Sequence, residues 1–192
     1  MKGRERGVSG YCKIAPGHEF HGPYHDAEYG FPSRDERVLH ERLALEIMQA
    51  GLSWLIVLKK RRALNAAFRG FDVDAVAAFG ARDVTRLLAD AGIIRNRLKI
   101  EAIVDNARRI RDLRASHGGF ARWLDANHPQ PLDNWVGLFR RTFRFTGGEV
   151  VNEFLMSLGY LPGAHHAACP VHKRIVRAKP PWLLAGKAIR PR

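Results

Sequence analysis

The chain has 192 residues, 46% of them hydrophobic, and its 32 Lys and Arg outnumber its 19 Asp and Glu to leave a formal charge of +13. That length suits one domain with a sizeable buried core. The charge disfavours a cationic partner and points to a polyanion, either nucleic acid or an acidic membrane surface.

Residues 1–32 carry much of the Gly, Pro and His, show little periodicity and include the first of two cysteines, Cys12. Their Arg-containing start lacks the apolar core of a signal peptide, so a cytoplasmic protein is expected. Ser33-Arg34-Asp35-Glu36 has capping-box spacing and predicts a helix over 34–49. On that helix, at about 100° per residue, Leu39, Leu43, Ile47 and Ala50 form one stripe, and Glu46 falls within roughly 20° of Leu39. An acid is therefore expected to point inward, or else to pair with Arg42 at the edge of the stripe.

Gly51-Leu52 ends this helix, and a second is expected over 53–68. The run Leu52 to Leu58 is too short to span a bilayer, so a soluble protein is expected, and charge alone does not choose between the two polyanions. Further helices are expected over 73–79, 82–90, 93–114, 118–126, 131–141 and 148–159, with no strand alternation and no internal repeat. Basic residues cluster at Lys59-Lys60-Arg61-Arg62, at Arg95, Arg97 and Lys99, at Arg108, Arg109, Arg111 and Arg114, and at Arg140, Arg141 and Arg144. Any one cluster suits a solvated helix face; four together point to a binding face.

Phe143-Arg144-Phe145-Thr146-Gly147-Gly148 has the composition of a tight turn between helices, whose following amides can bind phosphate. Beyond 160 the chain again loses periodicity, and after His172 no acidic residue occurs. The expected organisation is a single all-α domain over 1–172 with two terminal arms, then a loose basic tail over 173–192.

The cysteines stand one in each arm, with histidines at ligand distance: Cys12-x12-His25 and His165-x3-Cys169. Two thiolates and two imidazoles make a closed tetrahedral zinc site, structural in type, which would pin the arms together. A disulfide or two separate thiols are the alternatives, and His18, His21, His166 and His172 are substitute ligands.

In chain order, Tyr24-His25-Asp26-Ala27-Glu28-Tyr29-Gly30-Phe31-Pro32, Glu46-x2-Gln49-Ala50-Gly51-Leu52-Ser53-Trp54, Leu58-Lys59-Lys60-Arg61, Ala91-Gly92-Ile93-Ile94-Arg95-Asn96-Arg97, Phe143-Arg144-Phe145-Thr146-Gly147 and His165-x3-Cys169 resemble the 3-methyladenine DNA glycosylase I family over residues 10–172. The resemblance implies an all-α helix-hairpin-helix repair enzyme that hydrolyses the N-glycosidic bond of alkylated adenine in double-stranded DNA and releases free 3-methyladenine. It also implies one structural zinc per chain on Cys12, His25, His165 and Cys169, and Glu46 as the base-contacting carboxylate.

Chemistry fills in the other roles. A flipped base needs stacking surfaces, for which Tyr24 and Trp54 are the candidates. N3-alkylated adenine is cationic, and an aromatic face offers it about 0.5–2 kcal/mol that the neutral base lacks. Gly51 and Leu52 are candidates for a wedge in the gap left by the base, with Gln49 as a neighbouring DNA contact. Arg144, Thr146 and Gly147 are the candidate DNA contacts of the hairpin.

Other helix-hairpin-helix glycosylases carry an aspartate downstream of the hairpin, yet residues 149–192 contain none. An alkylated purine is already a good leaving group, so binding, orientation and stabilisation of the sugar cation can suffice. No lysine is placed for Schiff-base chemistry, and a monofunctional, monomeric hydrolase is expected. Ile14 and His21 stand where the family is commonly aromatic, Tyr29 where it has Trp, and Gly148-Glu149 where it has Pro-Thr. These departures keep two alternatives in view: a zinc-stapled DNA-binding protein without turnover, and a glycosylase for a different damaged base.

Overall fold

A computed structural model describes residues 10–188. Their regular structure is helical, with no strand among the described residues, as the periodicity predicts. No described helix is long and apolar enough to cross a membrane. The backbone divides into two compact units, one formed by residues 33–154 and the other by the N-terminal residues to 32 with those from 155 on.

In the larger unit, α3 spans Glu36–Gln49, α4 Trp54–Ala67, α5 Val73–Ala77, α6 Ala81–Ala89, α7 Arg97–His117, α8 Phe120–Ala126 and α9 Leu132–Thr142; α10, Gly148–Ser157, begins there. The 21-residue α7 is its axis, with α3, α5, α6 and α8 packed on it. A second focus is aromatic: Phe143 lies 5.1 Å from Phe120 and 5.4 Å from Phe139, and Phe154 stacks on Phe120 at 5.7 Å.

Helix starts follow capping chemistry and shift some expected boundaries. Asp35, not Ser33, caps α3 by accepting from the Arg37 amide at 2.9 Å, while Glu36 turns away to bind Arg114. Asn96 caps α7 and delays its start to Arg97, past the expected 93, by accepting from the Lys99 amide at 3.2 Å. Ser53 caps α4 through the Ile56 amide at 3.4 Å. Each side-chain acceptor satisfies an amide that the first helical turn cannot.

The smaller unit holds α1, Tyr11–Ile14; α2, His21–Ala27; α11, Pro170–Arg177; and α12, Pro181–Ala188. Residues 173–188, expected as a loose tail, thus carry the rest of α11 and all of α12, and Ile175 is buried against Cys12, Cys169 and Val171. Pro170 at the first helical position is preorganised for that start. The last four residues of the expected tail lie outside the described residues.

Candidate functional site

In the larger unit the candidate site forms where α3 ends. Every residue of α3 from Leu39 to Met48 is buried, so the helix is enclosed all round and not on one stripe. Glu46 is 5% exposed, and the accessible part of it lines a pocket of about 290 Å³ with Gln49, Ala50, Gly51, Leu52, Glu149, Val150 and Glu153. No donor among the described residues hydrogen-bonds its carboxylate. Burial pushes the Glu46 carboxyl well above the usual glutamate range, the neighbouring charge of Glu153 pushes the same way, and Arg42 opposes them only in part. Arg42, the alternative partner expected from the sequence, exerts the smallest of these effects on the acid.

The rim of that pocket is the α3–α4 turn. Gly51 adopts φ +77°, a left-handed conformation that closes the helix with little steric cost. Leu52 is 39% exposed beside it. Glu46, Gln49, Gly51 and Leu52, separate in role, therefore share one pocket. Trp54 opens α4 two residues beyond Leu52, half-buried, and is not among the lining residues.

A residue that the sequence reading counted only as surface charge completes this region. Lys99 is 4% exposed, and its Nζ donates to the carbonyls of Met48 at 2.9 Å and Ala50 at 2.5 Å. These are carbonyls at the α3 C-terminus, where the helix dipole favours a cation. Burial lowers the Lys99 pKa from its ordinary value. Its neighbour Arg97 carries the same charge and is exposed, so charge alone does not mark Lys99 in the sequence.

The hairpin between α9 and α10 is built around Phe143, 4% exposed, and around Phe145, whose φ of +59° puts its ring 41% exposed and 5.9 Å from Lys99 Nζ. Asn106 of α7 donates to the Arg144 carbonyl at 3.1 Å and accepts from the Arg144 amide at 2.7 Å. The Arg144 guanidinium is paired with Asp105. Thr146 is buried and its hydroxyl donates to the Phe143 carbonyl at 3.3 Å, so solvent at this turn meets Gly147 and Gly148 instead. A groove of about 450 Å³ runs past Ala50, Arg140, Phe145, Gly147, Gly148 and Val150.

Much of the positive charge is spent inside the fold. Lys60 donates to the Ala91 and Gly92 carbonyls, Arg61 pairs with Glu41, Arg108 donates to the Ala77 and Phe79 carbonyls, and Arg114 bridges Glu36 and Asp74. Of the four clusters, the first and third each lend two members to structure.

The smaller unit gathers Cys12, His25, His165 and Cys169, all buried, with one ligand atom from each lying within 4.8 Å of the others. Cys169 Sγ is 3.5 Å from His165 Nδ1 and 3.8 Å from His25 Nε2, and Cys12 Sγ is 3.6 Å from His165 Nδ1. Both cysteines are unbridged, which sets aside the disulfide. The rings are oriented from behind: Nε2 of His165 faces the Tyr29 carbonyl at 2.9 Å, and Nδ1 of His25 faces Asp26 Oδ1 at 2.7 Å. Burial lowers His165 to about 4 and so keeps it neutral, as a ligand must be. Burial pushes the Cys12 thiol up, a trend that a coordinated cation reverses. This set can hold a metal ion. His18 and His166 are committed elsewhere, their Nδ1 atoms accepting from local amides.

Tyr24 is 2% exposed within this unit, its ring 5.7 Å from that of Tyr29. The departure Ile14 is exposed at 61%, whereas His21 is buried with its ring 4.6 Å from His18 and 5.4 Å from Tyr11.

Comparison with known proteins shows the family. A DNA-3-methyladenine glycosylase 1 from Escherichia coli is 38% identical over 165 residues, covering 76% of this chain and 88% of that protein. A DNA-3-methyladenine glycosylase from Haemophilus influenzae is 35% identical over 167 residues, covering 77% and 89%. A structure of 3-methyladenine DNA glycosylase I from Staphylococcus aureus, solved to explain 3-methyladenine recognition, superposes with a TM-score of 0.74 at 30% identity over 84% of this chain and 95% of that one. The model of the methyladenine glycosylase family matches residues 15–138, and the chain belongs to that family.

Proposed function

We propose that this protein is a DNA glycosylase that flips alkylated adenine out of duplex DNA and hydrolyses its N-glycosidic bond, with Glu46 as the carboxylate that receives the base. The observation that carries this reading is a buried acid with no internal hydrogen bond, facing a pocket rimmed by Gln49, Gly51 and Leu52. A largely buried carboxylate is costly, and one that faces a pocket needs a reason. A cationic purine supplies one: it neutralises the carboxylate and offers it N–H donors, while normal adenine brings no charge. Because the alkylated base leaves readily, the remaining work is to exclude water, orient the sugar and hold the base, with Trp54 as a stacking surface. Leu52 is the wedge, and the amides that follow Gly147 hold a phosphate at the start of α10.

Zinc is the metal of the clasp. Two thiolates with two imidazoles, each imidazole fixed by a carboxylate or carbonyl, suit a closed structural zinc site. Such a site supplies folding energy and leaves no open position for catalysis. The two unbridged cysteines suit a reducing cytoplasmic setting.

The test is base release from methylated duplex DNA by wild type, Glu46→Gln and Trp54→Ala. Wild type is expected to release 3-methyladenine, with Glu46→Gln slowed by about 100-fold or more. Release that survives both substitutions unchanged would contradict this pocket, and salt-sensitive binding without release by wild type would favour a DNA-binding protein that lacks turnover.

A further inference from the structure

The α3–α4 turn and the α9–α10 hairpin are far apart in sequence, yet a single face of α7 holds both. Lys99 takes the Met48 and Ala50 carbonyls of the first. Asn106 takes the amide and carbonyl of Arg144 in the second, and Asp105 takes the Arg144 guanidinium. Lys99 and Asn106 are seven residues apart, two helical turns, which places them on the same face and about 10 Å apart along the axis.

The two held segments also meet each other. Ala50 and Val150 line both the Glu46 pocket and the groove along the hairpin, and Phe145 lies over Lys99. A buried ammonium without a carboxylate partner is an expensive way to close a helix, for which the glycine at 51 already serves. Its cost is explained if the position of the turn, and not just its closure, is what Lys99 secures.

We infer that Lys99 and Asn106 are positioning residues: α7 acts as a rigid spacer that keeps the Gly51–Leu52 wedge in register with the phosphate-holding hairpin, so that a duplex gripped at one is entered at the other. This rests on the function proposed above and assigns to it two residues that touch neither base nor phosphate. Glu46 lies inside α3 and is held by that helix, so what Lys99 secures is the rim of the pocket at Ala50 and beyond, not the carboxylate that receives the base. Loss of register should therefore separate insertion into DNA from recognition of the free base.

The experiment compares wild type with Lys99→Met, Lys99→Arg, Asn106→Leu and the Lys99→Met/Asn106→Leu pair. Insertion is read by the fluorescence of 2-aminopurine placed beside an abasic-site analogue, turnover by single-turnover release of 3-methyladenine, and the pocket by binding of free 3-methyladenine. Lys99→Met is expected to lose at least about ten-fold in release and most of the 2-aminopurine response, while its affinity for free base stays within about two-fold. Lys99→Arg, which can still donate to both carbonyls, should recover most of the response. Both single changes free the same spacing, so the double variant should lose no more than the larger single loss, whereas unrelated damage would multiply.

Wild-type release and fluorescence in Lys99→Met, or a proportional fall in free-base affinity, would overturn the inference. The fluorescence arm needs no turnover, so it tests register even if wild type releases nothing, a result that would fall on the proposed function alone.

Discussion

Asp26 Oδ1 lies 2.7 Å from Nδ1 of His25, and the opposite nitrogen of that ring, Nε2, is the one turned to Cys169 Sγ at 3.8 Å. The carboxylate thus selects which nitrogen is left for a metal and strengthens it as a donor. Replacing Asp26 with Ala removes the orienting group and leaves all four ligands in place. Zinc affinity, measured by competition with a chromogenic chelator, is expected to fall about 10–100-fold while the loaded protein keeps one ion per chain. An unchanged affinity would assign Asp26 to the surface alone.

Substituting a ligand is a harsher change. Cys169 immediately precedes α11 and, with Cys12, Val171 and Ile175, forms the small core of its unit. Cys169→Ser should purify with less than half an equivalent of zinc and lose several kcal/mol of stability, since for a site of this type most of the binding energy is folding energy. Chelator added to wild type should reproduce that loss, and chelator added to Cys169→Ser should add nothing. Elemental analysis with thermal melting checks both.

The sequence made some of this architecture readable and hid the rest for identifiable reasons. The long helices α3, α4 and α7 announce themselves by periodicity, whereas the caps Asp35 and Asn96, which periodicity does not mark, set where α3 and α7 begin. The helices of the smaller unit do not: α1 has four residues and α2 seven, lengths at which helix formation depends on tertiary support. Glu46 is inward as the wheel predicts, but so are His40, Glu41 and Arg42, because α3 is enclosed on every side. The four metal-cluster residues were legible from spacing, since few residue types bind zinc. Lys99 was not, because nothing local separates a lysine that reaches backward under a turn from one that reaches into water.

A raised carboxyl in the folded state makes Glu46 a stability cost that varies with pH. The folded protein holds a proton there that the unfolded chain has released, so this group favours folding most at or below the ordinary glutamate range, and that contribution is lost as pH rises through the raised folded value. Glu46→Gln removes the titration. It is expected to melt higher than wild type at pH 7–8, by an amount on the order of 1 kcal/mol, with the difference vanishing toward pH 4. Paired melts across that range would show it; a variant less stable at every pH would mean that Glu46 is held by partners and not exposed to a pocket.

The basic residues should divide into two sets by salt dependence. Arg114 donates to Glu36 at 2.6 and 2.8 Å and to Asp74 at 2.8 and 2.9 Å. Arg140, in contrast, lies exposed in the groove beside Gly147 and Gly148. Arg114→Met is expected to lower stability by about 1 kcal/mol, discounted for its half-exposed position, and to leave the salt slope of duplex binding unchanged. Arg140→Met should leave stability nearly unchanged and lower the slope by about one. Binding isotherms at several salt concentrations distinguish the two, and an equal change in slope for both would mean that the internal pairing of Arg114 opens on DNA.

Gly30 offers the sharpest steric prediction. It has φ +87°, its amide donates to the Ser157 carbonyl at 2.8 Å, and a Cβ built on it would stand 2.7 Å from Ile175 Cδ1 and 2.9 Å from Ala164 Cβ. Alanine there meets both a left-handed backbone penalty and an overlap with two side chains, one of them Ile175 of the cysteine core. Gly30→Ala is expected to destabilise by about 2–4 kcal/mol. Because Tyr29, whose carbonyl orients His165, is its immediate neighbour, the same change should also weaken zinc. Shortening the obstructing side chain, as Gly30→Ala/Ile175→Val, should restore part of both losses if overlap dominates. No recovery in melting or in zinc content would place the whole penalty on the backbone angle.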